Sequence, residues 1–228
     1  MNRLSRFVFA ALAAMVAGCA SQSPAPAADS PVRTYDGLYP VENVSVTGVW
    51  ARPDIDLSGY ERIQLEGAGI RYRPVPAGDR VDAASSEGGV FPLNDEQKAR
   101  LANEFGEAFR RELSRSEHFR ITEAVGPDVL KVRAGLLDVV SRVPPDAVGR
   151  TDLYLESLGE ATLMIELVDS ESGTVLLRAI DRQVIPGPGG DQGSNPVTSW
   201  REVRRLADTW AVRLRDGLDG LHQRMTLE

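Results

Sequence analysis

The sequence predicts an α+β domain in which two helices pack on one face of a mostly antiparallel sheet of about six strands. Two segments, 94–116 and 199–221, carry apolar residues at the spacing of an amphipathic helix. The other apolar segments are short and alternate with polar residues, which is typical of strands. The predicted order is strand, strand, helix, four strands and helix, with no internal repeat.

Two strands are expected before the first helix. A β-rich run over 44–50 stops at Pro53, and residues 60–73 alternate as a half-buried strand in which Gly67 marks a bulge or kink. The next segment, 74–89, is rich in Gly, Pro, Ser and Asp and is expected to be a loop.

Asn94 is expected to cap the first helix. Gln97 stands three residues later and completes a capping box, while Asp95 and Glu96 favour the positive end of the helix dipole. One face of this helix is expected to be buried. Its apolar residues at helical spacing are Leu101, Phe105, Ala108, Phe109 and Leu113.

Four strands are expected between the helices, at 119–124, 129–140, 161–168 and 174–185. The last two are predicted to form a hairpin, because the connection 169–173 ends in the glycine that such loops use. The segments 141–159 and 186–196 contain clustered prolines or glycines and are expected to be loops.

Ser199 is expected to cap the second helix, with Glu202 completing a capping box. Two tryptophans on one helix face are more often core anchors than a ligand cage, so we interpret them as core residues. The full apolar stripe is Trp200, Val203, Ala207, Trp210, Leu214, Leu218 and Leu221.

The N-terminus has the pattern of a secretory signal peptide that leads to a cysteine. Arg3 and Arg6 give a positive start, an apolar run over 7–16 follows, and small residues precede Cys19. The run is too short to span a bilayer, which takes roughly 20 apolar residues. The arrangement resembles the bacterial lipoprotein signal, in which the thiol receives a diacylglycerol, the chain is cut before the cysteine and the new amine is acylated. This resemblance implies a membrane anchor at Cys19, and Ala20 in place of Asp implies sorting to the outer membrane.

The predicted organisation is a signal peptide over 1–18, a lipidated, Pro/Ala/Ser-rich tether over 19–43 and a single domain over 44–224. A hydrophobic content of 42% is enough for a packed core. The chain carries 26 basic and 33 acidic residues, for a formal net charge of −7. This balance argues against nucleic acid as a partner and against adhesion to anionic lipid surfaces, because both need positive charge.

Few residues are suited to catalysis. His118 and His222 are the only histidines, each is interpreted as a capping or surface residue, and no Gly-x-Ser-x-Gly motif is present. We therefore predict no enzyme activity, no metal site and no cofactor. The alternative is a carboxylate-dependent hydrolase acting on peptidoglycan or glycan, for which Glu156, Glu160 and Glu166 are the candidates.

One apolar patch is a candidate partner surface. Leu153, Tyr154 and Leu155 lie within a loop, where packing beneath the loop explains them more simply than a partner does. They are nevertheless the surface element best suited to contacting another protein of the envelope. The Gly- and Pro-rich segment 186–196 is the second such surface.

Once these segments are placed, the chain resembles DUF3313, a family of bacterial lipoproteins of uncharacterised function. Four stretches carry the resemblance. The third, 159–182, contains G-E-A, D-S and D-R motifs, and the fourth, 199–221, contains two tryptophans. Ser172 is a departure, because the family often has Thr there. The resemblance implies a compartment and a domain name, and it supplies no catalytic residues. The four stretches are 50–63, 94–133, 159–182 and 199–221.

These observations predict a lipid-anchored protein of the outer membrane with its domain facing the periplasm. We expect it to serve as a non-catalytic binding or accessory module, with an envelope protein complex as its expected partner. A structural spacer without a specific ligand is compatible with the same observations.

Overall fold

The computed structural model describes residues 33–74, 90–143, 156–187 and 196–226, and these residues form seven strands and two helices. The strands are β1 (Tyr39–Pro40), β2 (Gly48–Ala51), β3 (Arg62–Tyr72), β4 (Arg120–Ile121), β5 (Val129–Ser141), β6 (Ser157–Asp169) and β7 (Val175–Pro186). The helices are α1 (Asp95–Leu113), between β3 and β4, and α2 (Pro196–Thr226), after β7.

All the strands belong to one sheet, in the order β1-β2-β7-β6-β5-β3-β4. β3 pairs in parallel with both β4 and β5, and the other pairs are antiparallel. The α+β class is confirmed, but the sheet of the described residues is mixed and has seven strands, so the prediction of a mostly antiparallel sheet of about six was wrong. α1 provides the long crossover that a parallel pair of strands needs. β1 has only two residues, too few to show the alternation of apolar and polar residues by which strands are predicted.

The N-terminus of α1 agrees with the prediction. Asn94 Oδ1 accepts a 2.8 Å hydrogen bond from Gln97 N, and Gln97 Oε1 accepts a 2.9 Å bond from Asn94 N, which confirms the capping box. The five predicted core residues of this helix are all buried. Glu112 is buried beside them, where Arg115 and Arg215 pair with its two carboxylate oxygens at 2.7 and 2.8 Å.

The start of α2 differs from the prediction. The helix begins at Pro196, so Ser199 lies inside the first turn and the predicted capping box with Glu202 was wrong. Proline is favoured at the first helical position, because its fixed φ suits the helix and its missing N–H would be unbonded there. Ser199 is buried, and its hydroxyl has no hydrogen-bond partner among the described residues.

The core lies between the two helices and one face of the sheet. The ring centroids of Phe105 in α1 and Trp210 in α2 are 5.7 Å apart, which confirms Trp210 as a core residue. β6 supplies alternate residues to this core, including Leu163 and Ile165. Because successive side chains of a strand point to opposite faces, Glu160 and Glu166 lie on the sheet face away from the helices.

Two predicted backbone features are present. The hairpin of β6 and β7 turns through Gly173, whose φ of 68° is in the left-handed region that glycine adopts without strain. The register of β3 against β5 shifts between Gly67 and Gly69, as predicted for a bulge in this strand.

The first described residues already pack on the sheet. Leu38 is fully buried, and Asp36 pairs with Arg178 of β7 at 2.6 Å. Both positions fall in the segment predicted as tether, while residues 1–18 and Cys19 lie outside the described residues. None of the described helices combines the length and the apolar character needed to cross a membrane.

Candidate functional site

Tyr60 of the first stretch and Asp169 of the third meet at the turn of the β6–β7 hairpin. Tyr60 Oη donates a 2.8 Å hydrogen bond to Asp169 Oδ2, and the other oxygen of Asp169 accepts from the N and Oγ of Ser172 at 2.7 and 2.6 Å. Hydrogen bonds from Ser172 lower the pKa of Asp169. Burial, aided by Asp169, raises the pKa of Tyr60 to about 12. The hydrogen bonds of Tyr60 and Ser172 to Asp169 therefore connect the first stretch to the third, and we call such a contact between two stretches a joint.

A second joint connects the third and fourth stretches. Trp210 Nε1 donates a 2.7 Å hydrogen bond to Asp181 Oδ2, and the Nε2 of Gln183 lies 3.1 and 3.2 Å from the two carboxylate oxygens. Arg213 Nη1 is 3.5 Å from the same Oδ2. Asp181 is 6% exposed, and a buried carboxylate is costly unless it is paired in this way.

Beside this second joint lies an apolar cleft, which we call the α2 cleft. It lies between α2, the segment 41–55 and the surfaces of β6 and β7, and its volume is about 670 Å³, within the range of small-molecule sites. Its apolar lining comprises Val41, Val44, Val46, Val49, Ala51, Ile55, Leu163, Ile165, Leu167, Leu177, Ala179, Trp210, Leu214, Leu218 and Leu221.

Small residues leave this space open. Gly217 lies on the α2 wall, and a Cβ added there would meet no atom of the described residues within 4 Å. Ala179 and Ala51 are the small residues of the opposite wall. The cleft is therefore a gap in the packing between α2 and the sheet, at a position where larger side chains would close it.

The polar residues of the α2 cleft are few. Asp181 lies at one end of the α2 wall, beside Arg213, and Arg224 lies at the other end. Arg224 is exposed and makes no ion pair with any residue in the described part of the chain. Asn43 and Ser45 add polar groups from the segment 41–55. The lining is thus mainly apolar, with the carboxylate of Asp181 paired to Arg213 and with Arg224 making no ion pair in the described part of the chain.

A smaller cavity of about 300 Å³ lies between α1 and strands β3 and β5. Gly67 and Gly106 line it and carry no side chains to fill it, since a Cβ added at either position would meet no atom of the described residues within 4 Å. Leu163 lines both this cavity and the α2 cleft. The volume of the smaller cavity is at the lower limit for a small-molecule site, so the α2 cleft is the better candidate.

The carboxylates proposed for hydrolysis do not form a catalytic pair. Glu160 accepts hydrogen bonds from Arg182 and from Arg73, which lower its pKa, whereas a general acid needs a raised one. Glu166 is paired with Arg178 at 2.7 Å. The two glutamates are six positions apart on β6, or about 20 Å, well beyond the roughly 5–9.5 Å of glycosidase pairs. Glu156 is exposed.

The two histidines are predicted as separate capping or surface residues, but they lie together in the structure. The rings of His118 and His222 stack with centroids 4.7 Å apart, and Phe119 contacts His222 edge-on at 5.4 Å. No local signal predicts this, because the contact depends on how the end of α2 packs beside the end of α1. Within the described part of the chain, no group of three or more His, Cys, Asp or Glu is placed to hold a metal ion.

The predicted partner surface stays a prediction. Leu153, Tyr154 and Leu155 lie outside the described residues, as does most of the segment 186–196. The α2 cleft was not predicted from the sequence, because its lining residues look like ordinary core positions. Glycine at position 217, in the middle of an apolar helical stripe, is the one signal that points to it.

Comparison with known proteins adds a family match. A family model described as a protein of unknown function, DUF3313, matches residues 27–214. No curated protein matches the sequence.

Several solved structures are similar to this chain. A Xanthomonas campestris protein of family DUF330 is 11% identical with a TM-score of 0.46, over 82% of this chain and 97% of its own. A PelC dodecamer from Paraburkholderia phytofirmans is 10% identical with a TM-score of 0.37, over 73% and 96%. Rare lipoprotein B from Shewanella oneidensis is 12% identical with a TM-score of 0.28, over 73% and 96%. Likenesses at this level carry no argument about function.

Proposed function

The chain belongs to the DUF3313 family, whose function is unknown, and we propose that it is a lipid-anchored envelope protein whose domain is a non-catalytic binding module. In this proposal Cys19 carries the anchor, the outer membrane holds it and the domain faces the periplasm. The α2 cleft is the binding site, and its occupant is an apolar ligand. The hydrolase alternative is not proposed, because Glu160 and Glu166 are far apart and paired with arginines and Glu156 is exposed.

The observation that carries this proposal is the open space between α2 and the sheet. A cleft of about 670 Å³ with a mainly apolar lining exposes apolar surface to solvent unless something covers it. An apolar ligand would remove that surface from water. The hydrogen bond between Trp210 and Asp181 supports the same role, because it holds α2 against β7 at one end of the cleft when no ligand is bound.

The test is site-specific photocrosslinking of the full chain in intact cells. Val44 lines the cleft and is 37% exposed, so a p-benzoylphenylalanine placed there should capture the occupant. Val125 is 59% exposed and lies away from the cleft, so the same photophore there is the matched control. Mass spectrometry of the adducts should show a captured molecule at position 44 and none at 125.

A pair of glycines provides a blocking control. Gly217→Phe should fill the cleft and remove the adduct at position 44, whereas Gly220→Phe on the same helix should not, because Gly220 does not line the cleft. Equal capture at positions 44 and 125, or capture that persists in Gly217→Phe, would contradict the binding role.

The predicted surface at Leu153, Tyr154 and Leu155 is retained as the contact to an envelope complex. Replacing Tyr154 and Leu155 together with Ser should abolish co-purification of the partner without changing the melting temperature. Unchanged co-purification would rule out this surface and leave the α2 cleft assignment untouched.

A further inference from the structure

The α2 cleft has the shape of a slot along one helix. The residues of α2 that line the cleft are spaced three and four positions apart, from Trp210 to Arg224, and so form a stripe along one face of the helix. This stripe is about 21 Å long, since each residue of an α-helix rises about 1.5 Å. One leaflet of the hydrocarbon core of a bilayer is about 15 Å thick, so the slot is long enough for one extended acyl chain.

The charges of the slot are unequal at its two ends. At the Trp210 end, the carboxylate of Asp181 is satisfied by Trp210, by Gln183 and by Arg213. That end presents no free charge to a ligand. At the other end Arg224 is exposed, lines the slot and makes no ion pair with the described residues.

From this arrangement we propose that the occupant of the α2 cleft is an anionic amphiphile, with its acyl chain along α2 and its head group on Arg224. The inference rests on the proposed function, since it names the ligand class of the same site. An anionic head would find its cation at Arg224, and the tail would cover the leucines and valines of the slot. A neutral or cationic head would leave Arg224 without a partner.

A fatty-acid carboxylate and a phospholipid phosphate share this chemistry. Either is a compact anion that a guanidinium binds through two parallel hydrogen bonds. The mass of the molecule captured at position 44 distinguishes them. It also distinguishes a free lipid from the acyl chains of the anchor itself, because capture of those joins position 44 to the peptide that contains Cys19.

The experiment uses the full chain reconstituted in vesicles of phosphatidylcholine, whose head group is neutral overall. A diazirine-labelled palmitic acid and the matching diazirine-labelled alcohol are added separately and irradiated. Peptides from segment 41–55 and from α2 are then quantified for label. We expect the acid to label them about two- to fivefold more than the alcohol, which lies within the effect of one exposed ion pair.

Two arginine variants test the head-group position. Arg224→Gln should reduce labelling by the acid to the level of the alcohol. Arg205→Gln is the matched control, because Arg205 is 81% exposed on α2 and does not line the cleft, so its loss should leave the preference unchanged.

Three results would overturn the inference. They are equal labelling by acid and alcohol in the unmodified chain, an unchanged preference in Arg224→Gln, and capture of the Cys19 acyl chains or of residues 20–32 at position 44. In the first two cases label still appears in the cleft, so the binding role survives while the ligand class fails. If neither probe labels the cleft and position 44 captures nothing, the proposed function fails as well.

Discussion

Trp210 and Asp181 join the last helix to the β6–β7 hairpin through a buried hydrogen bond of 2.7 Å between Nε1 and Oδ2. The two residues stand in different motif stretches, separated along the chain by the segment 182–209. The bond ties the D-R motif of one stretch to the tryptophan of the other. The carboxylate needs a donor once α2 covers it, and the indole supplies that donor from within the core.

The first prediction concerns this bond. Trp210→Phe should lower the free energy of unfolding by about 2–3 kcal/mol, because the buried carboxylate of Asp181 loses one of its donors and the smaller ring leaves space in the core. Trp200→Phe on the same helix should cost about 1 kcal/mol or less, since the ring of Trp200 packs under Arg100 at 4.4 Å, an interaction of modest energy. Urea denaturation of the full chain measures both. Equal costs would show that the hydrogen bond contributes nothing beyond packing.

The second prediction concerns alkaline pH. The pKa of Tyr60 is raised from 10.0 to about 12, so the folded state holds this proton more tightly than the unfolded state. The stability that Tyr60 contributes is therefore complete below pH 10 and is lost as the pH rises through about 12. Tyr60→Phe should make the free energy of unfolding fall less steeply between pH 10 and 12. An identical slope in the variant would refute the linkage.

The third prediction contrasts two glycines. At Gly159 of the G-E-A motif, an added Cβ would lie 2.1 Å from the carbonyl oxygen of Val140, so Gly159→Ala should disrupt the β5–β6 pairing and cost more than about 2 kcal/mol. At Gly217 the space is open, so Gly217→Ala should stabilise the helix by up to about 1 kcal/mol. Thermal unfolding of both variants checks the signs, and a loss of stability in Gly217→Ala would mean that the cleft wall is not free.

The fourth prediction concerns the anchor. Cys19→Ser should prevent attachment of the diacylglycerol, because the hydroxyl does not replace the thiolate as a nucleophile. Metabolic labelling with palmitate should then fall to background, and the protein should be lost from the washed outer-membrane fraction. Palmitate label retained on Cys19→Ser would show that the lipid is attached at another residue and would contradict an anchor at Cys19.

The sequence predicted the elements that depend on local chemistry. The capping box of Asn94 and Gln97, the apolar face of α1 and the hairpin turn at Gly173 each arise from residues a few positions apart. The start of α2 was predicted four residues late: a cap at Ser199 would begin the helix at Trp200, but it begins at Pro196, a residue favoured at the first helical position.

The features that depend on distant contacts were not predictable. The parallel pairing of β3 with β5 follows from where α1 returns the chain, which periodicity does not report. The contact of His118 with His222 and the bond of Asp181 with Trp210 depend on the docking of α2. The α2 cleft is a property of imperfect packing, and a sequence of valines and leucines does not distinguish a filled space from an open one.

Both outer strands of the sheet are only two residues long, and β1 ends in Pro40. A membrane anchor of the kind proposed confines many copies of a protein to two dimensions, where collisions between identical sheets are frequent. Pro40 lacks the N–H that a further strand would need, so the β1 border is poorly suited to pairing. β4 covers only Arg62 and Ile63 of β3, and no other strand of the described residues covers the same edge from Gln64 to Tyr72. Crowding on a surface would therefore favour self-association along β3 rather than along β1.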